Sequence, residues 1–209
     1  MAPRLRWITS FKEAHDHFSP LWSEAYEIWG KFENAIGFET YVPADYSAVL
    51  SSLQSLQGKA TTILEWGSGL GVVTIMASRL GFEAYGIEVA PQLVKHARKL
   101  AKRYAPRATF AEGSFVPNDY QWAADQGEDD TRPNLNAADG YDALDMRLSE
   151  FDVVYAYPWP DEHALFADML RGRGRPGGWL LTYDIRAGMQ QTQVNANGSE
   201  TIKQLPWPI

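Results

Sequence analysis

Hydrophobic and polar positions alternate in two ways along most of the chain. Short runs of β-branched and apolar residues, typical of strands buried on both faces, are separated by segments in which apolar residues recur at helical spacing. This order of strands and helices predicts a doubly wound, mostly parallel α/β sheet flanked by helices. The predicted strands are residues 61–65, 82–88, 108–111, 151–155 and 178–185, with intervening helices over 72–80, 91–104 and 161–170.

The N-terminal part of the chain has a different pattern. Between residues 10 and 38, aromatic side chains recur at spacings of three, four and seven, which predicts one or two helices that bury a broad face. Asp45 is expected to cap a further helix over 46–56. We predict one domain, in which residues 1–57 form an N-terminal helical extension that caps a Rossmann-like core of residues 58–209.

Two later segments interrupt the alternation. Residues from about 118 to 150 are acidic and rich in turn formers, which predicts an insertion that holds a short helix. Near the C-terminus, Asn197-Gly198 lies between residues 190–194 and 201–205, and Asn-Gly is a strong hairpin signal. We therefore expect a C-terminal antiparallel hairpin.

Composition narrows the range of partners. The chain has 19 Lys and Arg residues against 26 Asp and Glu residues, so a general electrostatic grip on a phosphate backbone is disfavoured and nucleic acid is an unlikely partner. The absence of cysteine rules out disulfides, a thiolate zinc site and a cysteine nucleophile, and no metal site is predicted. No apolar run has the length of a signal peptide or a membrane span, so we expect a cytoplasmic protein without a membrane partner. The oligomeric state stays open.

A glycine-rich turn after the first predicted strand is the most informative segment. Gly67, Gly69 and Gly71 would allow a tight turn and a close approach of the backbone to a ligand. Their spacing differs from the G-x-G-x-x-G of dinucleotide sites, because the third glycine comes one residue early. Glu65, before the turn, would repel a pyrophosphate but could hold the ammonium of a methionine moiety.

A second acidic residue supports a nucleoside-bearing cofactor. Glu88 ends the second predicted strand, 21 positions after Gly67, where an acidic side chain can meet ribose hydroxyls. Its two oxygens can accept both hydroxyl protons. The alternative, a glycine turn that only packs a helix on a strand, would need neither Glu65 nor Glu88.

Residues 61–101 resemble motif I through post-I of the class I S-adenosylmethionine-dependent methyltransferases, a seven-strand Rossmann-like family, and a weaker likeness extends from about 40 to 184. The resemblance implies S-adenosylmethionine as the cofactor. In that family the turn after the third strand flanks the adenine, and here Gly113-Ser114 stands where an acidic residue often meets the adenine amine. Ser114 or a backbone carbonyl is expected to substitute, and Phe115 either stacks on the base or lies in the core. The implied cofactor-binding residues are Tyr41, Glu65, Gly67, Ser68, Gly69, Gly71, Glu88, Val89, Gly113, Ser114, Phe115 and Tyr155.

The loop after the fourth predicted strand resembles, without matching, the Asn/Asp-Pro-Pro-aromatic loop of amino methyltransferases. Tyr157 replaces the amide or carboxylate, which argues against a nucleobase or a glutamine amide as the acceptor. A carbonyl held by Pro158 and the ring of Trp159 remain usable. His163 could relay a proton, although a plain surface position on a helix also explains it. Tyr157, Trp159 and His163 are therefore the candidate catalytic residues.

A short N-terminal motif bears on the acceptor. Tyr41-Val42-Pro43 resembles a segment of the protein-lysine methyltransferases that act on a mitochondrial ATP-synthase subunit, although a simple turn before a helix explains it as well. We expect a methyltransferase that acts on an amine-bearing small molecule or a protein lysine. The alternatives are a non-catalytic, nucleoside-binding methyltransferase-like protein and an NAD-dependent oxidoreductase, which the glycine spacing disfavours.

Overall fold

Two helices form the N-terminal cap. A computed structural model shows α1 (Phe11–Phe32) and α2 (Tyr46–Leu56), which together we call the cap. Asp45 caps α2 as predicted, because its Oδ1 accepts hydrogen bonds from the backbone N–H groups of Ser47 at 2.9 Å and Ala48 at 3.1 Å. The structure describes residues 11–38, 41–120, 137–159, 162–184, 186–194 and 200–205.

A seven-stranded sheet follows the cap. Its spatial order is β3-β2-β1-β4-β5-β6-β7. The first five strands of the chain pair in parallel, whereas β6 and β7 pair antiparallel, so the predicted fold class and closing hairpin are confirmed. The remaining elements are β1 (Thr62–Trp66), α3 (Val72–Arg79), β2 (Glu83–Glu88), α4 (Pro91–Tyr104), β3 (Thr109–Glu112), α5 (Gly140–Leu144), a 3-10 turn (Leu148–Glu150), β4 (Val153–Ala156), α6 (His163–Arg173), β5 (Trp179–Asp184), β6 (Gly188–Val194) and β7 (Glu200–Gln204).

Small differences from the predicted bounds occur at loops. Helix α6 begins at His163 rather than at 161, and residues 160–161 lie outside the described residues. The short helix expected in the acidic insertion is α5, while 121–136 is not described. The Asn-Gly turn of the hairpin also lies outside the described residues.

The sheet has two buried faces with different coverings. Ile63, Val153 and Leu181 pack with α1, α2, α3 and α4 on what we call the cap face. Leu64 and Val154 pack with α6 on the opposite face. Because successive strand residues point to opposite sides, a side chain's place in its strand decides which group of helices it meets.

The parallel strands bring the predicted site to one edge. Strands β1, β2, β4 and β5 all end there, and the chain order reverses between β1 and β4. Open α/β sheets bind ligands at such a switch point, beyond the carboxyl ends of the strands. Within the described residues, no helix is both long and apolar enough to cross a bilayer.

Candidate functional site

The turn between β1 and α3, which we call the glycine loop (residues 67–71), has three glycines in different surroundings. All three have positive φ, at 63° for Gly67, 52° for Gly69 and 71° for Gly71, a region that favours glycine. A Cβ atom at Gly67 would meet no atom within 4 Å, whereas one at Gly69 would collide with the ring of Tyr41 and one at Gly71 with the ring of Phe110. Only Gly67 therefore leaves its backbone open, and the other two glycines admit the protein's own rings.

Ser68 adds an unsatisfied group to this loop. Its backbone N–H donates to the carbonyl of Ile87 at 2.9 Å, which ties the loop to β2. Its side chain is buried, and its hydroxyl has no hydrogen-bond partner among the described residues. Buried hydroxyl groups are normally hydrogen-bonded, so this one is available to a ligand.

Glu88 holds the glycine loop in place and keeps room to accept a further hydrogen bond. Its Oε2 accepts a hydrogen bond from the backbone N–H of Gly69 at 2.8 Å, and its Oε1 accepts one from Ala90 at 2.9 Å. Burial raises the pKa of Glu88, and the backbone donors oppose that rise. The backbone of Val89 also acts on this carboxylate, which has about four acceptor positions and so keeps room to accept a hydroxyl proton. The carboxylate thus suits the ribose contact that was predicted for it.

Glu65 has a structural role that sequence reasoning missed. Its Oε2 accepts hydrogen bonds from the backbone N–H of Thr74 at 2.8 Å and from its hydroxyl at 2.6 Å. Thr74 is in the first turn of α3, so Glu65 caps that helix from a neighbouring strand. Burial raises the pKa of Glu65 to about 8, against the hydrogen bonds from Thr74 and with a smaller contribution from the charge of Glu88. A cation placed beside this carboxyl group would favour its charged form.

The turn after β3 is held from two sides. Gly113 donates its N–H to the carbonyl of Glu88 at 2.9 Å, and the Oγ of Ser114 accepts a hydrogen bond from Val116 at 3.1 Å. The ring of Phe115 stacks on Trp66 with a centroid distance of 5.4 Å. Phe115 is only partly buried, so this contact is compatible with both positions that were predicted for it.

The candidate catalytic residues after β4 lie in different environments. Tyr157 packs edge-on against Tyr183 with a centroid distance of 5.0 Å. His163 Nε2 is 3.7 Å from Asp184 Oδ2. Trp159 is exposed and its backbone N–H donates to the side chain of Glu162. The structure thus brings Tyr157 and His163 to the end of β5 and leaves Trp159 at the surface.

Six tyrosines gather on the cap face beside the glycine loop, and we call them the tyrosine cluster. The hydroxyl groups of Tyr41 and Tyr46 are 3.0 Å apart, and the ring of Tyr46 is 5.4 Å from that of Tyr26. Burial raises the pKa of every member, so the hydroxyl groups stay protonated at neutral pH. The cluster consists of Tyr26, Tyr41, Tyr46, Tyr155, Tyr157 and Tyr183.

Sequence reasoning found only half of this cluster. Tyr41, Tyr155 and Tyr157 were singled out, but Tyr26, Tyr46 and Tyr183 were not assigned to the site. The available signal was weak. Tyr155 and Tyr157 alternate along and beyond β4 and therefore share a face, but no spacing connects them with α1 or α2.

The chain is similar to parts of two longer curated methyltransferases. It is 40% identical over 123 residues to the ribosomal protein L11 methyltransferase of Thermus thermophilus, a match that covers 59% of this chain and 38% of that protein. It is 38% identical over 63 residues to a lysine N-methyltransferase of an ATP synthase subunit from Xenopus laevis, covering 30% of this chain and 28% of that enzyme. The chain thus spans well under half the length of these curated relatives. No protein-family model matches the chain.

A solved structure is similar over a larger share of the fold. The RNA methyltransferase of Salinibacter ruber, crystallised with S-adenosylhomocysteine, is 25% identical with a TM-score of 0.48, covering 68% of this chain and 78% of that one. The curated matches confirm the predicted resemblance: the proteins to which the chain is similar are methyltransferases.

Proposed function

We propose that the protein is an S-adenosylmethionine-dependent methyltransferase whose acceptor is an amine, on a protein lysine or on a small molecule. The observation that carries the proposal is the position of Glu88. Its carboxylate lies at the switch-point edge of the sheet, is fixed by the backbone of Gly69 and Ala90, and retains free acceptor positions. A carboxylate so placed fits the two hydroxyl groups of a ribose.

The residues around the glycine loop fit the proposed cofactor. Gly67 leaves its backbone open, the buried hydroxyl of Ser68 has no partner among the described residues, and Glu65 can balance an ammonium. When bound, the cofactor would supply a methyl group on a positively charged sulfur, and an amine acceptor would take that group and release one proton. The protein's own contribution is to hold both molecules in line and to exclude water.

Two observations favour an acceptor on a protein. The two curated relatives are a methyltransferase of ribosomal protein L11 and a lysine methyltransferase of an ATP synthase subunit. Exposed apolar side chains also lie on segments near the C-terminal edge of the parallel strands, where a polypeptide could dock. These side chains are Tyr26, Ile36, Val42, Val89 and Trp159.

Calorimetric titration with S-adenosylhomocysteine and with NAD tests the cofactor. We expect saturable binding of S-adenosylhomocysteine and none of NAD. No binding of S-adenosylhomocysteine would contradict the proposal, and binding of NAD would favour an oxidoreductase.

Transfer of a radioactive methyl group to cell proteins or to lysine peptides tests turnover. We expect labelled amine nitrogen. A protein that binds S-adenosylhomocysteine but labels neither proteins nor small amines would instead be the non-catalytic binding module, which the intact Glu65 and Glu88 do not exclude.

A further inference from the structure

We propose that the tyrosine cluster is the subsite that binds the acceptor, and that it selects a primary ammonium group on an unbranched alkyl stem. This inference rests on the proposed function and specifies which part of the chain would recognise the amine. It moves Tyr41 and Tyr155 from the predicted cofactor contacts to the acceptor subsite, and it assigns a role to Tyr26, Tyr46 and Tyr183.

The cluster lies beside the glycine loop. Tyr155 pairs with Glu65 across β4 and β1, so both side chains point to the cap face. Tyr41, in the segment before α2, lies against Gly69 and brings the N-terminal part of the chain into contact with the loop. An acceptor that enters between the cap and the ends of β4 and β5 would therefore arrive next to the cofactor position.

The hydroxyl group of Tyr155 is the central observation. The residue is 2% exposed, and its hydroxyl has no hydrogen-bond partner among the described residues. Its electrostatic neighbours are Glu65, Tyr157, Tyr41 and Tyr183. A buried hydroxyl oxygen without a donor is unfavourable, and the N–H groups of an amine would satisfy it.

The charge around the cluster favours a cation. The negative charges of Asp45 and Asp184 both raise the pKa of Tyr183, and that of Asp184 also raises the pKa of Tyr157. Asp184 is held in place, because its Oδ1 accepts hydrogen bonds from the backbone of Arg186 and Ala187 at 2.7 Å. Tyrosine rings add attraction for an ammonium through their π faces. His163 and Arg186 also lie near Asp184 and offset part of its charge.

The depth of the cluster favours a long, thin acceptor. Tyr26 is 45% exposed and Tyr157 is half-buried, whereas Tyr155 is enclosed. An ammonium that reaches Tyr155 from the surface would therefore need a flexible apolar stem, which would lie along the rings. A lysine side chain has both features.

Binding of a model compound tests the subsite apart from turnover. Nα-acetyl-lysine methylamide is titrated into the full chain with and without saturating S-adenosylhomocysteine, and its neutral Nε-acetylated form serves as the matched compound. We expect the cationic compound to bind at least tenfold more tightly. Equal affinities would overturn the inference.

Two substitutions and one control locate the binding. Tyr155→Phe removes a hydroxyl that has no partner among the described residues, so the fold should keep its unfolding midpoint while affinity for the cationic compound falls three- to tenfold. Asp184→Asn keeps the Oδ1 acceptor and removes the charge. It should weaken binding of the cationic compound and leave binding of the neutral compound unchanged. Tyr85→Phe, on the opposite face, is the control and should change neither affinity. Unchanged binding in both Tyr155→Phe and Asp184→Asn would overturn the assignment.

The two proposals fail separately in this experiment. If S-adenosylhomocysteine does not bind but the cationic compound still does, in a manner that depends on Tyr155, the proposed cofactor is wrong and the amine site stands. If S-adenosylhomocysteine binds normally and the lysine compound does not bind under either condition, the cofactor assignment stands and the subsite is wrong.

Discussion

The glycine loop and the tyrosine cluster are neighbours on one sheet edge, yet they are built in different ways. The loop and its two carboxylates come from one stretch of 24 residues, from Glu65 to Glu88, and its hydrogen bonds are mostly to backbone. The cluster draws its rings from α1, from the segment before α2, from α2 itself and from the ends of β4 and β5. The proposed cofactor site is therefore local in sequence, whereas the proposed acceptor site depends on tertiary packing.

The largest effect is expected from a substitution at the contact between the glycine loop and the tyrosine cluster. Gly69→Ala would place a methyl group against the ring of Tyr41 at a φ of 52°. Left-handed strain of roughly 1–2 kcal/mol and overpacking of roughly 1–3 kcal/mol should together lower the free energy of unfolding and abolish binding of S-adenosylhomocysteine. Denaturant unfolding and calorimetry measure the two effects.

Gly67→Ala is the matched control for that change. Its φ of 63° carries similar strain, but no atom lies within 4 Å of the added methyl group. We expect a loss of only about 1–2 kcal/mol in stability. If the two variants are equally stable, the Tyr41 contact does not explain why residue 69 is glycine.

A smaller effect is expected from the ribose carboxylate. Glu88→Ala should weaken the binding of S-adenosylhomocysteine by roughly 1.5–3 kcal/mol, the usual contribution of hydrogen bonds to a charged group. Glu83→Gln, exposed at the opposite end of the same strand, should leave the affinity unchanged. Unchanged affinity in Glu88→Ala would contradict the ribose assignment.

The raised pKa of Glu65 should be visible in the pH dependence of stability. The pKa of this carboxyl group is about 8 in the folded chain against an ordinary value of 4.5. Below pH 4.5 the group is protonated in both states, so its stabilising effect is fully present there and is lost as the pH rises towards 8. Glu65→Gln has no such titration, so the stability of wild type relative to this variant should fall by at most about 1.4 kcal/mol per pH unit in that window. A constant difference between pH 5 and 8 would contradict the raised pKa.

The smallest expected effect is a difference in stability between variants that lack one of two tyrosine hydroxyl groups of the cluster. Tyr46→Phe removes a hydroxyl that is 3.0 Å from that of Tyr41, and should lower the free energy of unfolding by about 0.5–1.5 kcal/mol. Tyr155→Phe removes a hydroxyl with no partner among the described residues and should cause no such loss. Equal destabilisation would show that Tyr155 has a structural partner.

The strand and helix pattern predicted most of the fold because burial imposes a period on each element. Helices α2 and α4 begin and end at the predicted residues, and the Asn-Gly signal correctly predicted the antiparallel pair of β6 and β7. The bounds of α6 differed, since the loop before it contains prolines and no side-chain capping hydrogen bond fixes its first residue, His163.

Glycine spacing and the two acidic residues were enough to indicate the cofactor class, because a ribose carboxylate and an open backbone must stand at fixed distances along a β-α-β unit. Only the tertiary structure decided the rest. It showed that Glu65 caps α3, that the ring of Tyr41 lies on Gly69, and that rings from distant segments enclose the hydroxyl of Tyr155. The contact between Glu65 and Thr74 spans only nine residues but depends on how α3 packs on β1. The contacts of Tyr41 and Tyr155 join residues far apart along the chain, and they depend on how the N-terminal part of the chain packs on the sheet, which no local period encodes.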